Sequence, residues 1–404
     1  MKRKLLSVFL SLAMVLTMMP VFAMADTSVG GGTPGANVEP TESYKDQTGD
    51  VTYSTDGGTV SYLNYSNGVM TVTGDNVTVK NVKFGDKAKL IVNTTGTFTL
   101  ENCTFNPETV YGTEGSIRTA VTLNVGQAVV KDNKFDGVTN GYYNAIEFGI
   151  GDDQNNLSKA EISGNTFNSA IKNNYFNFYN MTDSAVIDIS NNSLLLAAKT
   201  SNGIRISNPR NAENITFNIA KDSYTYASDS AESEYEGLIL LQDYSKDNAT
   251  QDFTNININI TELSAPENAK QLLYVYEDKS NSIINTNYPK LNGDDSITQF
   301  YAAKIGDKYY KSLTDAYAEA NESENTEIVL LKDYTIDKFI EIKKPITLNL
   351  GGKVLTSRSS GFDVYKNFTI KNGTLNTATW GVWTQNKDVA FTLESDATIN
   401  ADCD

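Results

Sequence analysis

The stretch Ala160-Glu-Ile-Ser-Gly-Asn-Thr-Phe167 decides the fold, because its pattern of apolar, any, apolar, two spacers, Asn, any, aromatic returns along the chain. Relatives of it are Val77-Thr-Val-Lys-Asn-Val-Lys-Phe84, Phe98-Thr-Leu-Glu-Asn-Cys-Thr-Phe105, Val129-Val-Lys-Asp-Asn-Lys-Phe135, Ile187-Asp-Ile-Ser-Asn-Asn-Ser-Leu194 and Asn214-Ile-Thr-Phe217. Their closing residues fall between 21 and 32 residues apart, a period that signals a solenoid or propeller. Each copy reads as a short strand with two inward apolar side chains, a polar bend where Asn takes a left-handed conformation, and a further inward anchor. One copy cannot bury its own face, but stacked copies can, with Asn amides hydrogen-bonding from coil to coil inside the bend. The expected fold is all-β, a right-handed parallel β-helix.

A second strand type alternates with the first: Ala120-Val-Thr-Leu, Ala145-Ile-Glu-Phe148, Asn177-Phe-Tyr-Asn180, Gly203-Ile-Arg-Ile206 and Gly237-Leu-Ile-Leu240. Alternation predicts that the middle residues Thr122, Glu147, Tyr179, Arg205 and Ile239 point outward and form one exposed ladder. The core prediction names Ile162, Phe167, Ile187, Ile189, Ile204 and Ile206.

Residues 1–25 have the form of a secretory signal: Lys2-Arg3-Lys4, an apolar run from Leu5 to Met19, Pro20, and Ala23-Met24-Ala25 as a cleavage site. The expected product is secreted, extracellular or held at the cell surface, with no membrane span after cleavage. Residues 26–47, Gly-rich then polar, read as a flexible leader. Residues 48–290 form the first β-helix. Near Leu291 the character changes: Ser312 is a natural N-cap with Asp315 three residues on, and Leu313, Ala316, Tyr317 and Ala320 share one helical face. Residues 291–404 therefore read as a capping helix at 312–321 and a second β-helix segment. Its sequence stops at Asp404 without a polar capping repeat, so a continuation or an unfamiliar cover is expected.

The formal net charge of −16 becomes −19 once Lys2, Arg3 and Lys4 are removed, which disfavours nucleic acid and anionic lipid. Histidine is absent, which excludes Ser-His-Asp and Cys-His chemistry and His-ligated zinc. Cys103 and Cys403 are the only cysteines, too few for a disulfide framework, and Cys103 reads as a small buried hydrophobe.

Gly306-Asp-Lys-Tyr-Tyr-Lys-Ser-Leu-Thr-Asp-Ala-Tyr-Ala-Glu-Ala320 followed by Glu327-Ile-Val-Leu-Leu-Lys-Asp-Tyr-Thr-Ile336 resembles a module of secreted and surface proteins of Gram-positive bacteria that opens a pectate-lyase-like coil. Residues 120–220 are similar to the repeats of the pectin-lyase-like superfamily, a resemblance that implies fold far better than activity. Against the polygalacturonases of that fold, Gly151-Asp152-Asp153 precedes Thr182-Asp183 in reversed order, Ser207 stands for a Lys, and no His exists. Pectate lyases ask for acidic calcium ligands and a basic residue, for which Arg205, Glu147, Asp152 and Asp153 are the candidates, with Arg118 nearby. For a glycan, Tyr142, Tyr143, Tyr179, Trp380 and Trp383 offer ring faces; alternation puts Val382 inside and Trp383 outside. The expectation is a non-catalytic scaffold, with no cofactor, for adhesion or for binding a polysaccharide or a host or bacterial surface glycan. The alternative is a calcium-dependent polysaccharide lyase, with a glycoside hydrolase behind it.

Overall fold

A computed structural model of the chain describes residues 43–150, 156–197, 202–207, 212–227, 237–242, 253–266, 269, 271–275, 288–293, 295–359 and 361–402. Two long stacks of parallel strands, with a short third that carries Phe105, Phe135, Phe167, Leu194 and Tyr224, build the first β-helix. In one stack the columns of paired residues run without a slip: Val51, Met70, Leu90, Val121, Ile146, Phe176, Ile204, Ile239, Leu273. The other carries Val60, Val79, Leu100, Val130, Ile162, Ile189, Ile219 and Ile260 in one inward column. Because a side chain repeats its position in every coil, like stacks on like, and the six predicted core residues all lie in one continuous buried cluster. Phe84, Phe105, Phe135 and Phe167 stack ring on ring at 4.6, 4.7 and 4.3 Å.

The bend after the second stack resolves the motif's single Asn into two positions. One is left-handed in eight successive coils: Tyr62, Asn81, Asn102, Asp132, Gly164, Asn191, Lys221 and Glu262 have φ between 50° and 66°. Asn, Asp and Gly tolerate that conformation best. The next residue points inward, and there Asn133, Asn165 and Asn192 are buried. Asn133 Nδ2 donates to Asn165 Oδ1 at 2.9 Å, and Asn165 Nδ2 to Asn192 Oδ1 at 2.9 Å. Each amide also donates to a backbone carbonyl of the preceding coil, namely Leu100, Val130 and Ile162. Cys103 occupies the same inward position two coils before Asn165; it is buried and free, and burial pushes its thiol up to about 12. Cys403 lies outside the described residues.

The β-helix begins earlier than residue 48. Lys45–Thr48 is a strand in register with Leu63 to Ser66, the Tyr44 ring packs 5.7 Å from Tyr62, and the Lys83 ammonium lies 4.2 Å above it. The last residues assigned to the leader therefore belong to the first coil. Their polarity misled, since an edge strand's outer face is solvated.

A short helix that the sequence did not announce, α1 (Asp295–Phe300), follows the last strand of this stack, and Ile297, Phe300 and Tyr301 pack on its core. The Tyr301 hydroxyl accepts from Leu273 N at 3.0 Å. An antiparallel hairpin, Ala303–Ile305 with Lys308–Tyr310, leads to α2 (Leu313–Ala320). Its cap is the expected one: Asp315 N donates to Ser312 Oγ at 3.0 Å, and Leu313, Ala316, Tyr317 and Ala320 are the buried face. That face joins the core of the second coil segment. There Thr326–Leu330, Ile346–Ser357, Phe368–Thr377 and Phe391–Leu393 pair in parallel, while Ile340–Ile342, Phe362–Val364 and Val382–Thr384 make a second wall. The two segments touch: Tyr309 donates to Leu291 O at 2.8 Å and Lys332 to Thr298 O at 2.7 Å.

Candidate functional site

The outward ladder expected of the first stack differs from prediction in register and in exposure. Its residues are Thr122, Glu147, Asn177, Arg205, Leu240 and Tyr274. Tyr179 lies two positions beyond Asn177, and Ile239 points inward. Glu147, Asn177, Arg205 and Leu240 are all at most 8% exposed, so this wall is covered and offers no open ladder.

Within it Glu147 accepts from Thr119 Oγ1 at 2.8 Å and from Asn144 Nδ2 at 2.5 Å. Arg205 donates to the Tyr179 hydroxyl at 3.0 Å and to Gln242 O at 3.4 Å, with its guanidinium 5.2 Å from the Tyr179 ring centre. Asn177 stands between Glu147 and Arg205 in the column, which keeps them two strands, about 10 Å, apart. Glu147 and Arg205, two of the candidates for lyase chemistry, thus each have buried hydrogen-bond partners. Asp152 and Asp153 lie outside the described residues. Among the described residues no three acidic or Cys side chains gather as metal ligands.

The aromatic candidates divide. Tyr142 is 1% exposed and is a core residue, its phenol pushed above the ordinary range by burial; following Gly141, it turned in where a pair of tyrosines suggested a surface. Tyr143 is half-buried, 5.1 Å from Tyr111, and carries the Arg118 guanidinium 5.2 Å from its ring centre. Tyr179 is occupied by Arg205, as above. Trp383 is 54% exposed, Trp380 is half-buried 5.8 Å from it, and Val382 packs toward the core, as alternation required.

Trp383 belongs to a regular surface. On the wall made by Ile340–Ile342, Phe362–Val364 and Val382–Thr384, the outward column is Glu341, Asp363, Trp383. One column earlier stand Phe339, which is 49% exposed, and Gly361 and Gly381. One column later stand Lys343, Tyr365 and Gln385, held in step by Tyr365 N to Ile342 O and Gln385 N to Val364 O. Rows about 4.8 Å apart and columns about 6.8 Å apart set this grid. Gly361 is required, since a Cβ there would meet Gly381 O at 1.9 Å.

Charges on the grid are mostly matched: Lys343 sits 2.6 Å from Glu341, and that hydrogen bond raises the Lys343 ammonium above its ordinary value. Phe339 and Glu341 also line a groove of about 630 Å³ between α2 and the 334–341 segment, with Tyr317, Asn321 and Tyr334 in its wall. Groove and platform form one continuous strip. Sequence reasoning found Trp383 and Trp380 but missed Phe339, Glu341 and Asp363; the signal that could have found them is coil spacing, since Glu341, Asp363 and Trp383 recur at equivalent positions.

No helix among the described residues is long and apolar enough to cross a membrane. No protein-family model matches this chain, and no curated protein matches its sequence.

Proposed function

We propose that the protein is a secreted, surface-displayed β-helix without catalytic activity, of pectin-lyase-like ancestry, that binds a glycan across the strip from the α2 groove to Trp383. The observation that carries this reading is Trp383, a large flat ring 54% exposed on a rigid parallel wall beside Asp363 and Glu341. Sugars present C–H faces that lie on aromatic rings and hydroxyls that bond to carboxylates and amides, and strand-borne side chains supply both without ordering cost. From Glu341 to Trp383 the column spans about 10 Å, room for about two sugar rings, and the groove extends it. Secretion rests on the signal-like residues 1–25.

Retention of the mature protein on immobilised glycans tests this. The expected result is retention on at least one glycan, lost in Trp383→Ala while the melting temperature stays unchanged. No retention across a broad neutral and acidic panel would defeat the reading. Release of unsaturated products from a uronic-acid polymer with calcium, abolished in Arg205→Ala, would instead support the lyase.

A further inference from the structure

The buried amide column ends on an acid. After Asn133, Asn165 and Asn192, the inward residue of the next coil is Asp222, wholly buried. Its Oδ1 does what the asparagine oxygens do: it accepts from Asn192 N at 2.8 Å and from Asn192 Nδ2 at 3.0 Å. Its Oδ2 stands where the others carry an NH₂ group, and among the described residues it has no hydrogen-bond partner. The asparagines use that NH₂ to reach Leu100, Val130 and Ile162 O. Register carries the same position to Ile189, which pairs with Ile162. A carboxylate oxygen set against a carbonyl repels it, whereas a protonated one donates to it.

We propose that Asp222 is held as the neutral acid, its Oδ2–H donating to the Ile189 carbonyl as an asparagine would, and that its ionisation unlocks its own coil and those that follow. Among the described residues no cation is set against the charge. Tyr224 is the titratable group that faces it among the described residues, itself buried with its phenol pushed well above the ordinary range. Asn192 precedes it, and Leu263 holds the inward position of the next coil, as the Ser223 and Ser264 bridge shows. Lys221 and Glu262, at the neighbouring bend positions, pair with each other at 3.8 Å in solvent. Burial accordingly pushes the carboxyl from 3.8 to about 7, against the opposing pull of the two Asn192 hydrogen bonds.

The sign follows from linkage. Below pH 3.8 the carboxyl is protonated folded or unfolded, and the stabilisation is complete; above it the unfolded chain ionises while the fold keeps its proton, so stability falls until about pH 7 and then levels. The difference amounts to as much as about a thousandfold in the folding equilibrium.

Asp222→Asn supplies the missing NH₂ at nearly constant shape, so the comparison is made on urea midpoints of the full chain and this variant. The two should nearly coincide at about pH 4, and the variant should become the more stable as pH rises to about 8. Amide exchange in Ile215–Ala220 and Ile256–Thr261 should quicken over the same range in the parent only, relative to Thr78–Phe84. A gap between parent and variant that is the same at both pH values would overturn the proposal. So would the absence, at about pH 5.5, of an infrared protonated-carboxyl band in the parent that Asp222→Asn removes.

Discussion

Replacing Asn165 by Leu puts a number on the amide column. Asn165 Oδ1 accepts from Asn133 N at 3.1 Å and from Asn133 Nδ2 at 2.9 Å, and its own Nδ2 donates to Val130 O and to Asn192 Oδ1. Leucine keeps the number and branching of the side-chain heavy atoms and is the bulkier of the two, so no cavity opens, but two N–H donors of Asn133 are stranded out of reach of water. Each stranded donor costs about 1–3 kcal/mol, so the pair costs about 4 kcal/mol. The added apolar burial returns about 1 kcal/mol, leaving a net loss of about 3 kcal/mol. The control is Asn292→Ala, which removes a bond of similar length, Asn292 Nδ2 to Asn259 Oδ1 at 3.0 Å, on the exposed side of the coil. Water replaces that partner, and the loss should stay within about 0.5 kcal/mol. Urea unfolding followed by circular dichroism measures both. Equal losses for the two variants would refute the claim that burial, rather than the bond itself, sets the cost.

Phe135→Ala, which empties the gap between Phe105 and Phe167, should cost about 3–5 kcal/mol in the same titration, because both neighbours lose a stacked ring at once. A chain beginning at Ser43 should melt like the mature protein in a thermal scan. One beginning at Gly49, lacking the strand that pairs with Leu63 to Ser66, should melt about 2–4 °C lower.

Where side chains alternate cleanly, the sequence spoke clearly: Ile187 and Ile189, or Ile204 and Ile206, could face only one way. The α2 helix was equally legible, since Ser312, Asp315 and the four apolar positions are all local signals. Register failed where alternation fails. In Tyr175-Phe-Asn-Phe-Tyr179 every position but one is aromatic, and in Leu238-Ile-Leu-Leu241 every one is aliphatic, so the ladder residue was placed two positions late at Tyr179 and one early at Ile239. Asn174, aligned with Asn144 and Asn202, would have fixed the first of these. The burial of Glu147 and Arg205 was out of reach for another reason: it depends on what covers the wall, which no local pattern encodes. Likewise α1 is too short to carry a helical period, and the Phe339, Asp363 and Trp383 surface exists only once coils of unequal length are stacked.

The left-handed bend has an implication for how such a chain can change over time. Its eight residues lie between 19 and 41 positions apart, yet in each coil the following residue turns inward. Variation in length is therefore channelled into the connections, and the corner itself is a fixed datum. An insertion within the loop that joins the strands Thr104–Phe105 and Thr119–Lys131 lengthens one connection and leaves the stacking order intact. A single residue added between Ser163 and Asn165 would turn Asn165 outward and throw one storey out of line with those above and below. The molecule thus separates the part that can be freely rewritten, and on which new surfaces can be grafted, from the part that counts.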